Sequence, residues 1–329
     1  MRKSVICLMI FMVGMTTISH AQTTVDTLKT EIRSYVARNF SEVRTFNLYW
    51  ETSPSHDYTL KQNGSKFEKG KMRNEHTVKF AATVPIYQKN RFSFYANANA
   101  NFYLFETENE LDGSASSMFK DNEESYSYFK AGVNGTYFLN VFNKPLMLSA
   151  AISGDGWYHG FEKMEATLTA ILMLKRTAST NISVGLHGTT LFDLVPAVPI
   201  VVFIHQFNPN LSVDITLPSR TYLRYQFKNN HRVSIGSSLD REHFYYKPNI
   251  ENIPETTLYS KSNIKTEFVY EYIINKHFYL IARGGGSQPI MSGLFKTNRK
   301  GDGDGKPLLE YSQPMTPFFY LGFSYNLFK

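Results

Sequence analysis

The 329-residue chain is 15% aromatic and only 19% charged, with a formal charge of +7 and a mean hydropathy of −0.30. An apolar share of 42% excludes an intrinsically disordered chain, and 20 Gly with 13 Pro exclude a collagen-like or low-complexity one. The charge is too mild for a nucleic-acid footprint or a polybasic membrane patch, so no nucleic-acid partner is expected.

A membrane-spanning helix needs about 18 or more apolar residues in a row. Beyond the N-terminus the longest apolar run, Leu194 to Ile204, holds about 11 and contains Pro196 and Pro199. Arg2 and Lys3 precede the apolar stretch Val5 to Met15, which is followed by small residues at Ser19 and Ala21. That layout predicts a secretory signal peptide over 1–21, with Gln22 as the mature start. The single cysteine, Cys7, lies inside it. Disulfides, thiolate metal sites, cysteine nucleophiles and a lipid-modified N-terminal Cys are therefore not expected in the exported chain.

Val25, Leu28, Ile32, Tyr35, Val36 and Phe40 recur at steps of three and four, while Lys29, Glu31, Arg33 and Arg38 fall elsewhere. This predicts a short amphipathic helix over 22–42, on the periplasmic side.

From residue 43 to 329 the period is two. In Phe92 to Leu104 (FSFYANANANFYL), Phe92, Phe94, Ala96, Ala98, Ala100, Phe102 and Leu104 share one side, and Asn97, Asn99 and Asn101 lie on the other. A strand sends alternate side chains to opposite faces, so this one has an apolar face and an amide face. The alternation recurs in Phe129 to Val141, Ala166 to Leu174, Leu211 to Leu217, Phe268 to Ile274 and Phe319 to Leu327, with weaker segments between them. About 14 strands result, with 12 as the alternative, and short turns alternate with longer polar loops near 53–72, 107–124, 155–164, 189–198, 247–258 and 288–315. Short turns at one end and long loops at the other predict an all-β, antiparallel, up-and-down transmembrane β-barrel in the outer membrane.

The chain ends YLGFSYNLFK. Gly322, Tyr325, Leu327 and Phe328 fit the pattern of an outer-membrane insertion signal, read by strand addition to the barrel assembly machinery; Lys329 after the last aromatic departs from it. RTFNLYWE (Arg44 to Glu51), VPIYQKNRFSF (Val84 to Phe94), PAVPIVVFIHQF (Pro196 to Phe207) and LPSRTYLRYQF (Leu217 to Phe227) add a family likeness. On these segments the chain resembles a family of outer-membrane β-barrel proteins of unknown function found in Bacteroidetes. The resemblance implies fold and location and assigns no activity.

Faces opposite the apolar ones predict a lumen lined by Asn97, Asn99, Asn101, Lys130, Asn134, His187, Asp214, Arg224, Arg232, Asp240, Lys265, Glu267, Glu271 and Arg283. Both signs are present, so any field across the lumen is local and steep. Other chemistry is thinly represented. Gly301 to Gly305 offers Asp302 and Asp304 to a calcium ion, but a calcium loop needs more oxygen ligands, and Glu310 is the one nearby acid. Ser183 and His187 share a strand face but stand roughly 13 Å apart. His205 and Asp214 could meet across a turn, with no nucleophile motif beside them. No metal, cofactor or enzymatic reaction is expected. The expected partners are outer-membrane lipid and the assembly machinery.

The function these features favour is a passive pore for small hydrophilic solutes, gated by the 288–315 loop or the N-terminal helix. The alternative is a structural barrel, or one that binds a partner or surface glycan, without conductance.

Overall fold

The computed structural model describes residues 44–327, except 90, 110–121, 191–196, 249, 251–252 and 298–306, and every regular element among them is a β-strand. The expected signal peptide and the helix over 22–42 lie outside the described residues, as do Asp302, Asp304 and Phe328. No described helix is long and apolar enough to cross a membrane.

The chain begins with β1 (Phe46–Ser53) and β2 (His56–Gln62), returns as β3 (Ser65–Lys89) and continues through β4 (Phe92–Asn109) and β5 (Asn122–Val141). Next come β6 (Lys144–Trp157), β7 (Gly160–Arg176), β8 (Thr180–Thr189), β9 (Ala197–Gln206) and β10 (Leu211–Leu217). The last are β11 (Arg220–Phe227), β12 (His231–Tyr246), β13 (Thr257–Ile273), β14 (Phe278–Lys296), β15 (Leu309–Ser312) and β16 (Thr316–Tyr325).

All neighbours pair antiparallel, and β1 pairs with both β3 and β16, which closes the ring. β2 and β15 occupy the same two wall positions as β1 and β16, above interruptions at Pro54–Ser55 and at Gln313–Met315. The result is a closed, antiparallel 14-strand barrel. Short turns and both described chain ends lie at what we call the lower end.

Alternation sets the two surfaces of the wall. Leu48, Trp50, Phe102, Phe129, Ile152, Leu168, Leu186, Leu223, Ile235, Phe268, Phe319 and Leu321 are exposed and point outward. They encircle the wall, far beyond the few hundred Å² of contiguous apolar surface that soluble monomers expose, and form a lipid-facing belt.

The interior at the upper end is apolar instead. Tyr58, Leu60, Tyr103, Phe105, Tyr126, Tyr128, Trp157, Phe244, Tyr245, Leu258, Tyr259 and Tyr311 form one buried cluster. Its centre is the upper end of β12. Phe244 stacks on Tyr126 at 4.5 Å and on Tyr259 at 4.6 Å, while Tyr245 faces the other way, toward Tyr128 at 6.2 Å. Adjacent residues on a strand point to opposite faces, so β12 there is covered on both sides and reaches across the mouth to β5.

Of the expected loops, 53–72 is largely strand and 288–315 is strand in part. The segment 53–72 forms a hairpin of β2 with the start of β3, turning at Asn63 and Gly64, whose φ values are 50° and 79°. Asn-Gly at a two-residue turn with both φ positive is the strongest short-range hairpin signal, and Tyr58 and Leu60 alternate before it. The segment 288–315 is strand up to Lys296 and again over Leu309–Ser312. The 155–164 loop reduces to Tyr158 and His159 between β6 and β7.

Candidate functional site

All fourteen residues expected in the lumen project from the inner face, and the structure sorts them into two surfaces. The first runs over β10 to β14, β16, β1 and β3, and its charges are buried and paired. At the lower end Glu271 accepts hydrogen bonds from Arg44 and Arg232, each at 2.7 Å. Arg44, fully buried, lies 3.7 Å over the Tyr279 ring. Asp214 accepts from Arg220 at 3.2 Å and stands 3.7 Å from Arg224.

Higher up, Glu267 accepts from the Tyr222 hydroxyl and, at 2.7 Å, from Ser238, with Arg283 at 3.7 Å. Arg283 also lies 4.8 Å over Tyr320. Above that, Lys265 donates to Glu51 at 2.5 Å and Asp240 at 2.7 Å, and Lys79 donates to Asp240 at 3.1 Å. Lys261 lies 3.4 Å from Glu75 and 3.7 Å from Glu242. Removing one partner from a buried ion pair costs about 3–5 kcal/mol, because the other charge is left uncompensated. These groups hold the wall in register across the lumen.

The second surface, on β4 to β9, is lined by neutral polar and aliphatic side chains. Asn97, Asn99, Asn101 and Asn134 are half-buried. Ser149 donates to Asn134 at 3.0 Å and lies 3.2 Å from Thr136. His187 Nδ1 is 2.8 Å from Thr169 Oγ1, and Asn101 donates to Tyr103 at 3.2 Å. On β9 the register with β8 places Val198, Ile200 and Val202 on the inner face, opposite His187, Gly185 and Ser183. Charge enters this side at Lys130, paired with Glu165, which also accepts from Thr189 at 3.1 Å, and at Asp155, which accepts from Tyr128 at 2.9 Å and Tyr245 at 2.8 Å.

Several partners were not singled out from sequence: Arg44, Glu51, Glu75, Lys79, Glu165, Glu242 and Lys261. Strand parity was the available signal, since each sits one residue from an outward or apolar side chain, as Glu51 does beside Trp50. Parity assigns a face but not a partner. Arg44 and Glu271 are 227 residues apart in sequence, and Lys79 and Asp240 are 161 apart.

Neither Ser183 with His187 nor His205 with Asp214 assembles into a catalytic pair. Ser183 donates to Asn181 at 3.1 Å. His205 lies on the outer face, 2.8 Å from Thr180, while Asp214 points inward, opposite Ile204. The strand pleat therefore keeps His205 and Asp214 on opposite faces. Carboxylate oxygens of Glu51, Asp240 and Glu242 lie within 4.8 Å of one another, beside the ammonium groups of Lys265, Lys79 and Lys261.

At the C-terminal signal, Gly322 lies against the Tyr49 ring: a Cβ there would stand 2.6 Å from Tyr49 Cδ1. Glycine allows the Tyr49 and Tyr320 rings to pack at 5.0 Å on the inner face. Tyr325 stacks on Phe46 at 6.1 Å across the closing seam, and Leu327 is exposed.

Residues 145–296, which span β6 through β14, match a family model described as a domain of unknown function (DUF6268). No curated protein matches the chain. Among solved structures, the chain is similar to the COG4313 outer membrane channel from Pseudomonas putida F1, with 11% identity, 86% of this chain and 97% of that chain covered, and a TM-score of 0.38. It is similar to the toluene transporter TodX of Pseudomonas putida, with 10% identity, 86% and 89% covered, and a TM-score of 0.34. The transport unit of the autotransporter AIDA-I from Escherichia coli is similar at 10% identity, with 90% and 97% covered and a TM-score of 0.37.

Proposed function

We propose that the protein is an outer-membrane channel that passes small hydrophilic solutes along the β4–β9 side of its lumen. The observation that carries this reading is the asymmetry of the interior. Charged groups on the β12–β14 and seam side are largely buried and lie in ion-pair contact with one another, while Asn134, Thr136, Ser149, Thr169 and His187 keep partial exposure on the facing wall. Neutral amide and hydroxyl groups exchange hydrogen bonds with water or a polar solute without the desolvation cost that a charge incurs. The aliphatic strip on β9 makes that path amphipathic, which favours solutes with one apolar edge.

The wall is low where this side ends. β10 and β11 have 7 and 8 residues, below the roughly 9–11 of a tilted spanning strand. Conductance of the purified protein in planar bilayers tests the reading: discrete channel events are expected, and their absence contradicts it. A second reading, a barrel that binds a partner or glycan and conducts nothing, draws on the aromatic packing around Phe244. Under that reading bilayers stay silent and the exposed upper surface carries the activity.

A further inference from the structure

The two strands that close the ring do not share a ladder along their whole length. Thr52 faces Phe319, and the next pair above is Thr59 with Ser312. Residues 53–58 and 313–318 pass each other without that ladder, over about 20 Å at the usual rise per residue. Pro54 and Pro314 have no N–H to donate. The flanking strands are irregular at the same height: β3 shifts register between Arg73 and His76, and the β13–β14 pair shifts at Ser262/Asn263, skipping Ile290.

Behind this interruption lies a polar cavity whose lining includes Glu51, Glu75, Glu242, Lys261, Gln313 and Thr316. Counting the charges around it, the carboxylates of Glu51, Glu75, Asp240 and Glu242 outnumber the ammonium groups of Lys79, Lys261 and Lys265 by one. A separate sign of an incomplete site is Asn263. It is 1% exposed, sits on the inner face of β13 between Lys261 and Lys265 and opposite Asp240, and neither atom of its amide has a hydrogen-bond partner. Buried amides are almost always satisfied, so this one marks a place for a missing polar group. Outside, the interruption is rimmed by the exposed apolar side chains of Ile290, Met291, Met315 and Phe319.

We propose that this seam is a lateral binding site for an amphiphile with a primary ammonium head. The head occupies the cavity between Glu75 and Glu242, with Asn263 two residues from the lining residue Lys261 on the same inner face, and the alkyl chain lies on the outer wall along Met315 and Phe319. A single positive charge balances the cluster. A divalent metal ion overshoots it and competes with Lys265, which already holds Glu51 and Asp240 at 2.5 and 2.7 Å.

Native mass spectrometry of the full chain in neutral maltoside micelles tests the site, with stearylamine and stearic acid as probes. Stearylamine is expected to be retained about tenfold more than stearic acid, and Glu75→Gln to lower it to the level of the acid. Ser53→Lys supplies the cavity with its own ammonium group and is expected to abolish retention while heat-modifiable migration of the folded barrel stays intact. Equal retention of the two probes, or stearylamine retention unchanged in both variants, overturns the proposal. A third probe, phosphatidylethanolamine, identifies the source and supports the site either way. Retention with the same Glu75 dependence points to a membrane lipid, and retention of stearylamine alone points to a free amphiphile.

Discussion

The β12–β14 wall and the β8–β9 wall follow the same side-chain alternation and end in different states. β12, β13 and β14 have 16, 17 and 19 residues, and their inner faces carry buried charges such as Arg232, Lys261, Glu267 and Glu271. β8 and β9 have 10 residues each, with Gly185, His187, Ile200 and Val202 facing inward. A spanning strand needs only about 9–11 residues. The surplus in β12 lets its upper end cross the lumen and bury both faces. That closure removes water from the neighbouring inner surface, and charges there persist only because each has a partner. The short wall has no surplus to fold over, and His187, Ile200 and Val202 on its inner face keep partial exposure.

The largest effect that could break this contrast is expected at Glu271. Glu271→Ala leaves Arg44 and Arg232 facing each other in a dry environment, and should destabilise the barrel by about 5 kcal/mol, at the upper end for breaking a buried pair. Urea unfolding in detergent, followed by tryptophan emission, measures it. A loss below a tenth of that places water around Glu271 and removes the distinction between the walls.

Phe244→Ala is expected to cost about 3–4 kcal/mol, since it empties the centre of the aromatic cluster. The same variant should raise single-channel conductance, because the packing it removes spans the mouth. Unchanged conductance would mean that the closure at β12 lies off the solute path.

Lys130→Met tests a charge pair on the open side. Loss of its bond to Glu165 is expected to cost about 2 kcal/mol and to shift reversal potential toward cations, as Glu165 becomes unopposed. His187→Ala removes one half-buried bond to Thr169, worth about 0.5–1.5 kcal/mol, and should alter conductance more than stability. The smallest effect belongs to Lys247 and Glu255, paired at 2.8 Å but exposed on the upper loop. Lys247→Ala should change neither unfolding nor conductance, because exposed pairs are screened by solvent.

Much of the wall was legible in the amino-acid sequence because a period of two admits one physical reading. FSFYANANANFYL assigns Phe102 to lipid and Asn101 to the interior with no structure in hand. Short Asn-rich turns fixed which end faces the periplasm in the sequence reading, and the count of about 14 strands agrees with the closed ring. The hairpin over 56–72 was missed because its outward residues, Asp57, Lys61, Lys66 and Lys71, rise above the apolar belt and read as a polar loop; the Asn63-Gly64 turn was the signal. Across the lumen, sequence offers no ruler. Parity places Lys79 and Asp240 inside but says nothing of their meeting at 3.1 Å, and nothing in the alternation of β12 announces that its upper end leaves the wall.

The most direct measurement of the central claim is thiol block of single channels, made in a Cys7→Ser background because Cys7 is the chain's one cysteine. Ser149→Cys lies on the open wall and Thr77→Cys on the buried one. A cationic methanethiosulfonate is expected to cut conductance by at least about half in Ser149→Cys, on the order of one bulky group in a narrow lumen, and to leave Thr77→Cys unmodified. Equal block at both positions, or block only at Thr77→Cys, contradicts a solute path confined to the β4–β9 side.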